Sequence, residues 1–346
     1  MGNIRAAQAC AAVLLFIAFF IPASLATPAA AAEKIIWNHN YFGPKREVTR
    51  GIETAAAMLE KASGGTFALK IHYGAALGPP KTVPEAIKSG GYEGGNLCVG
   101  YYPNKFPLLS VMELPFLAPS KITDRAKVDA AILAHPLIRK LMAARWNLFP
   151  FEPTTLPAYE FMGNRKIAST ADMKGVKTRI SGLNAKALAK FGAVPAMVPA
   201  PETYTALERG TIDMIGLPYS YGLAAYKLYE VSKYSTEDMA MGGFMCFQGV
   251  NLGFWDRMPA KLRDMHDNLV KASSEALITA YAAADKKWIP VFRQHTEVHK
   301  FPKAERKKLQ SVASGIWEEW VKEQEDAGRP GRKILDFVKA EVAKYE

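Results

Sequence analysis

Few residues of this sequence stand at spacings that could do chemistry. His295-Thr296-Glu297-Val298-His299 sets two imidazoles four residues apart, so on a helix both would face one side and could share a metal. The glutamate is not placed as in an HExxH pair and no third ligand is indicated, so a solvated helix end is the better reading. Gly74-Ala75-Ala76-Leu77-Gly78-Pro79-Pro80-Lys81-Thr82 has the glycines and lysine of a phosphate loop at the wrong spacing. Its two prolines also remove N–H donors that a phosphate cradle needs. No GxSxG nucleophile elbow occurs, and His39, His72, His135 and His266 stand alone. With no nucleophile, metal set or cofactor motif, the residues point away from an enzyme, and no cofactor or metal is expected.

The elements that would position any site come from a globular chain. Its 346 residues, at about 150 per domain, suggest two lobes. Hydrophobic residues make up 49% and charged residues 22%, which excludes disorder and a multi-span membrane protein. The net charge of +11 is spread along the chain, which argues against a nucleic-acid partner. Arg5 is the only charge in residues 1–32, followed by an apolar run from Ala11 to Ile21, then Pro22, then Ala30-Ala31-Ala32 before Glu33. This is the pattern of a secretory signal cleaved near Ala32, since a bilayer span takes roughly 20 apolar residues. Cys10 would leave with it. Export to an oxidising compartment permits Cys98 and Cys246 to pair. As residues they read as two buried free thiols in strands; spacing leaves both possibilities open.

Strand–helix–strand rhythm runs through both halves and predicts two α/β layers with largely parallel sheets. Lys34 to Asn38 reads as a strand, and Ile52, Ala55, Ala56 and Leu59 give a helix face ending at Ser63-Gly64-Gly65. Phe67 to Ile71 is a strand, Thr82 to Lys88 a helix and Gly95 to Val99 a strand. The Pro-rich stretch Pro150 to Pro157 marks a boundary or crossing segment. Beyond it come a strand at Val176 to Ile180, a helix at Asn184 to Phe191, a strand near Ala196 to Val198, a helix at Glu202 to Arg209 and a strand at Ile212 to Gly216. Pro259 to His299 reads as one long helix kinked at Pro290, and helices follow near Lys303–Glu325 and Gly331–Tyr345.

Three stretches in this order resemble the solute-binding proteins of tripartite ATP-independent periplasmic (TRAP) transporters, the group named for C4-dicarboxylate uptake. They are Asp172-Met173-Lys174-Gly175-Val176-Lys177-Thr178-Arg179, Pro201-Glu202-Thr203-Tyr204-Thr205-Ala206-Leu207-Glu208-Arg209-Gly210-Thr211-Ile212-Asp213 and Tyr229-Glu230-Val231-Ser232-Lys233-Tyr234. Ser63-Gly64-Gly65, Leu77-Gly78, Pro115-Phe116 and Trp255-Asp256-Arg257-Met258-Pro259 lend weaker support. The resemblance covers nearly the whole mature chain. It implies an α/β, two-lobed periplasmic-binding-protein fold with crossing strands at Leu156–Glu160 and Phe244–Asn251 and a long lobe-spanning helix. The lobes would comprise 33–157 plus 246–285 and 158–245 plus 286–346.

The resemblance also implies that Arg179 grips a ligand carboxylate with two prongs, a task suited to a planar guanidinium fork. Two positions depart from the family. Tyr159 falls where many members carry a second cleft arginine, and Leu217 where many carry an asparagine. Aromatic and apolar residues take over instead: Trp37, Tyr41 and Phe42, then Tyr101 and Tyr102, Tyr159 and Met162, Tyr219 and Tyr221, and Phe244 to Phe247. Loops that follow strands form such sites, so Trp37, Tyr41, Tyr101, Tyr159, Leu217, Tyr219 and Phe244 are expected beside Arg179. The implied function is a periplasmic receptor that captures an aromatic or branched monocarboxylate and delivers it to membrane permease subunits, and the chain is expected to be a monomer. A C4-dicarboxylate or sugar acid is the alternative ligand; an ABC-type binding protein or a periplasmic enzyme on the same frame are the alternative classes.

Overall fold

The computed structural model describes residues 34–345 apart from Pro103 and Ser181, so the expected signal segment and Cys10 lie outside the described residues. The chain runs β1 (Ile35–Asn40), α1 (Arg50–Ala62), β2 (Phe67–His72), α2 (Val83–Ser89), β3 (Gly94–Cys98), α3 (Ile122–Ala134), α4 (Pro136–Trp146) and β4 (Leu148–Thr154). It continues through β5 (Tyr159–Gly163), β6 (Lys177–Arg179), α5 (Asn184–Ala189), β7 (Val194–Ala196), α6 (Thr203–Glu208), β8 (Met214–Pro218), α7 (Tyr221–Ala225) and β9 (Tyr234–Glu237). It closes with β10 (Cys246–Asn251), α8 (Leu252–Arg257), α9 (Ala260–Arg263), α10 (His266–His295), β11 (Glu297–Lys300), α11 (Lys303–Ser311), α12 (Ala313–Asp326) and α13 (Gly331–Val342). The strands expected near 196–198 and 212–216 lie two residues away from those positions, at β7 and β8.

Two sheets form, ordered β2-β1-β3-β10-β4 and β11-β9-β5-β8-β6-β7. Each is mixed, which corrects the expectation of largely parallel sheets. In the first, β10 runs antiparallel to both β3 and β4; in the second, β5 runs antiparallel to β8 and β9. The cause is connectivity. The chain leaves the first sheet through β4, enters the second as β5, and comes back as β10, so each arriving strand points against its new neighbours. The prolines of 150–157 are not all linker. Pro150 and Pro153 lie in β4, tolerated because β4 is an edge strand and a missing N–H there breaks no ladder on its open side.

Helix α10 spans both lobes. Its 30 residues make a rod of about 45 Å. One part packs on α1, whose buried Ile52, Ala55 and Leu59 recur at helical spacing, and another reaches α7 and β11. Tyr281 anchors the middle by donating to the Thr155 carbonyl at 3.1 Å, at the point where the chain crosses. The helix ends at His295. His299 therefore sits on β11, paired in parallel with Thr236 of β9, and the shared imidazole face does not form. At the C-terminus α12 touches α5, while α13 packs along α3. Among the described residues no helix is long and apolar enough to cross a membrane.

Cys98 and Cys246 are directly opposed across the β3–β10 ladder and form a disulfide, correcting the reading as free thiols. Antiparallel register brings together residues 148 apart in sequence, with Cα atoms 4.0 Å apart. Spacing carries no trace of that register.

Candidate functional site

Arg179 ends β6, a three-residue strand between β7 and β8, opposite Ala196 and Ile215. Its side chain is 1% exposed. Its Nε donates to the Val198 carbonyl at 2.9 Å and its Nη1 to the Gly216 carbonyl at 3.1 Å. These two bonds fix the plane of the fork. They do not neutralise its charge, and removing a charge from water without a counter-charge costs several kcal/mol.

Arg179 faces a cavity between the two sheets. From the first sheet's loops come Tyr41 and Phe42 after β1, Tyr101 after β3, and Arg46 just before α1. Tyr159, Leu217, Tyr221 and Tyr226 line it from the second, and Phe244 from the returning segment. No Asp or Glu lines it among the described residues. The rings hold one another. Phe42 and Tyr101 meet edge-on at 5.7 Å, as do Tyr101 and Phe244 at 5.5 Å, and Tyr221 stacks on Tyr281 at 4.7 Å. Phe244 lies so close over Gly100 that a Cβ there would stand 2.1 Å from its ring. Burial pushes the phenols of Tyr41, Tyr159 and Tyr221 well above their ordinary pKa, so they remain neutral hydrogen-bond donors.

A polar thread enters from the first sheet. His39 Nε2 meets Gln248 Oε1 at 2.8 Å, Gln248 Nε2 donates to Thr154 Oγ1 at 2.7 Å, and Thr154 and Asn96 both reach the cavity wall. Size does not single this cavity out. Its volume is about 460 Å³, against about 1260 Å³ in the groove along α3 and α10. Its chemistry does: among the described residues, only here do a buried guanidinium and clustered phenols converge.

Of the residues expected from the sequence, Arg179, Tyr41, Tyr101, Tyr159, Leu217 and Phe244 line the cavity. Trp37 and Tyr219 do not. Trp37 turns into the first sheet's core, edge-on to Phe151 at 5.0 Å and to Phe254 at 6.0 Å. Tyr219 packs 5.9 Å from Phe292 and donates to Glu237 Oε1 at 3.1 Å. It was expected at the site as a residue of the loop after a strand, but just past the end of β8 at Pro218 its ring turns away toward Phe292 and Glu237. Arg46 and Tyr226 went unanticipated. Arg46 at least carries the signal of a charged residue in the loop after the first strand; Tyr226 carries none.

The sequence profile of the bacterial extracellular solute-binding proteins, family 7 (DctP), matches residues 38–324. A solute-binding protein of Verminephrobacter eiseniae is 28% identical over 213 residues, 60% of this chain, and the match spans 62% of that relative's length. The C4-dicarboxylate-binding periplasmic protein DctP of Rhodobacter capsulatus is 25% identical over 92% of this chain and 94% of its own. Among solved structures, a TRAP periplasmic solute-binding protein of Desulfovibrio salexigens with bound orotic acid superposes with a TM-score of 0.80 at 21% identity, covering 90% of this chain and 99% of that one. One of Rhodoferax ferrireducens with copurified benzoate reaches 0.78 at 22% identity, covering 90% and 98%. Fold, motif order and profile agree: the chain belongs to the bacterial extracellular solute-binding proteins of family 7, the DctP family.

Proposed function

We propose that this protein is an exported receptor, not a catalyst, that closes its two lobes over an aromatic monocarboxylate and hands it to the membrane permease subunits of a TRAP transporter. One observation carries this reading: a buried guanidinium, plane fixed by two carbonyls, opening on a cavity walled by aromatic rings and free of lining carboxylates. An anion neutralises that charge, and in a site shut off from water the attraction strengthens as the local dielectric falls. The walls favour a flat ring, because stacking adds about 0.5–1.5 kcal/mol per good aromatic contact beyond burial. The two structural relatives hold orotic acid and benzoate, both planar ring acids, which supports the same ligand class.

A thermal-shift panel on the purified protein, joined to native mass spectrometry of copurified ligand, tests it. Benzoate-like and cinnamate-like anions should raise the melting temperature above succinate, malate and sialic acid, and should be recovered unchanged. Stabilisation by a dicarboxylate or sugar acid alone would contradict the ligand class; conversion of the acid would contradict the receptor.

A further inference from the structure

The proposed function employs one of two guanidiniums in the cavity. The other, Arg46, is built into place with equal care. Its backbone is pinned ahead of α1, where Thr49 Oγ1 donates to the Arg46 carbonyl at 2.6 Å. Its side chain lies across Gly43, where a Cβ would stand 2.6–2.8 Å from three guanidinium atoms, so only glycine admits this path. From the opposite lobe, Tyr226 takes a hydrogen bond from Nη1 at 2.6 Å and sets its ring 4.9 Å from the guanidinium carbon.

Those contacts hold Arg46 without saturating it. Its Nε is buried and meets no acceptor among the described residues. With no Asp or Glu lining the cavity there, two cations face one enclosed space that supplies no anion. The two act on a common group: burial raises the Tyr226 phenol, while Arg46 and Arg179 both pull against that rise. A single carboxylate on Arg179 leaves Arg46 uncompensated, and a buried donor left unmet is destabilising.

We infer that Arg46 is a specificity-determining second anchor, and that the ligand is a ring acid with a further oxygen acceptor on the side away from the carboxylate held by Arg179. The oxygen is a hydroxyl or oxo group on the ring. This inference rests on the receptor reading, in which Arg179 takes the first carboxylate.

Calorimetric titration separates the two. Benzoate, 3-hydroxybenzoate, 4-hydroxybenzoate and orotate are titrated into the wild-type protein, Arg46→Met, Arg46→Lys and Tyr226→Phe. For the wild type, at least one oxygenated acid should bind fivefold or more tighter than benzoate. Arg46→Met should shrink that ratio to below twofold, and Arg46→Lys should restore part of it. Tyr226→Phe, which removes the cross-lobe bond but keeps the cation, should retain the ratio even where all affinities fall. That variant also serves as the control should Arg46→Met fold poorly. A wild-type ratio under fivefold across the panel, or an Arg46→Met that weakens every acid by the same factor, overturns the assignment of Arg46 while leaving Arg179 and the receptor standing. If no ring acid binds at all, the receptor reading itself fails and takes this inference with it.

Discussion

The phenol of Tyr101, carried after β3, accepts a hydrogen bond at 3.3 Å from the backbone N–H of Ala200, in the segment that leads into α6. It joins the two lobes directly over the cavity, and it exists only while the lobes are together. Tyr101→Phe keeps the ring packed between Phe42 and Phe244 but removes the acceptor. A net hydrogen bond of about 0.5–1.5 kcal/mol corresponds to binding weakened by roughly 2–12-fold. Calorimetry with the best-binding ring acid reads this directly; affinity equal to the wild type would show that the bond plays no part in closure.

Closure itself is open to scattering. The chain passes between sheets at residues 155–158 and again ahead of β10, and α10 spans both lobes, so hinge motion is confined to few segments. Saturating ligand should reduce the radius of gyration. An unchanged scattering curve at saturation would count against capture by lobe closure.

The Cys98–Cys246 disulfide ties the returning strand β10 to β3 across 148 residues of sequence. On the loop-entropy account a cross-link of this length stabilises the fold by about 5 kcal/mol, an upper figure. The Cys98→Ala, Cys246→Ala variant should melt well below the wild type, and a reductant should lower the wild-type midpoint but not the variant's. Equal midpoints for the two proteins under oxidising conditions would contradict it.

Glu113 and Glu152 are buried, and desolvation pushes each carboxyl up to about 8 from an ordinary value near 4.5. Each is therefore neutral in the folded protein where the unfolded chain would ionise it. The folded state then binds more protons between pH 4.5 and 8, so stability falls as pH rises through that window. Thermal midpoints should drop from pH 5 to pH 8, and Glu152→Gln, neutral at every pH, should flatten part of the slope. A midpoint rising over this range in the wild type would contradict the assignment.

What could be read from the sequence followed local pattern. The helical face of Ile52, Ala55 and Leu59 and the strand ahead of Arg179 were legible because one side of each is buried and the spacing records it. Arg179 was legible through its Lys-Gly-x-Lys-x-Arg stretch. Residues whose place depends on distant partners were not. Arg46 gains its role from Tyr226, 180 positions along the chain, and the disulfide depends on antiparallel register. β11 is a short polar strand defined by pairing with β9 and not by any alternation of its own, which is why His299 read as helical. Trp37 illustrates the opposite failure: nearness to Tyr41 in sequence suggested a shared cavity, but Trp37 lies inside β1 with its indole packed on Phe151 and Phe254, whereas Tyr41 follows the end of the strand.

The central claim is that Arg179 holds the ligand's carboxylate, and calorimetric titration of wild type, Arg179→Ala and Arg179→Lys with the best-binding ring acid tests it most directly. Truncation should cost about 3 kcal/mol or more, on the order of a hundredfold in affinity, because the buried carboxylate loses its partner. Lysine should also bind poorly, since it keeps the charge but loses the fork. An Arg179→Ala protein that folds as the wild type does and binds the acid within a few-fold of it would contradict the account.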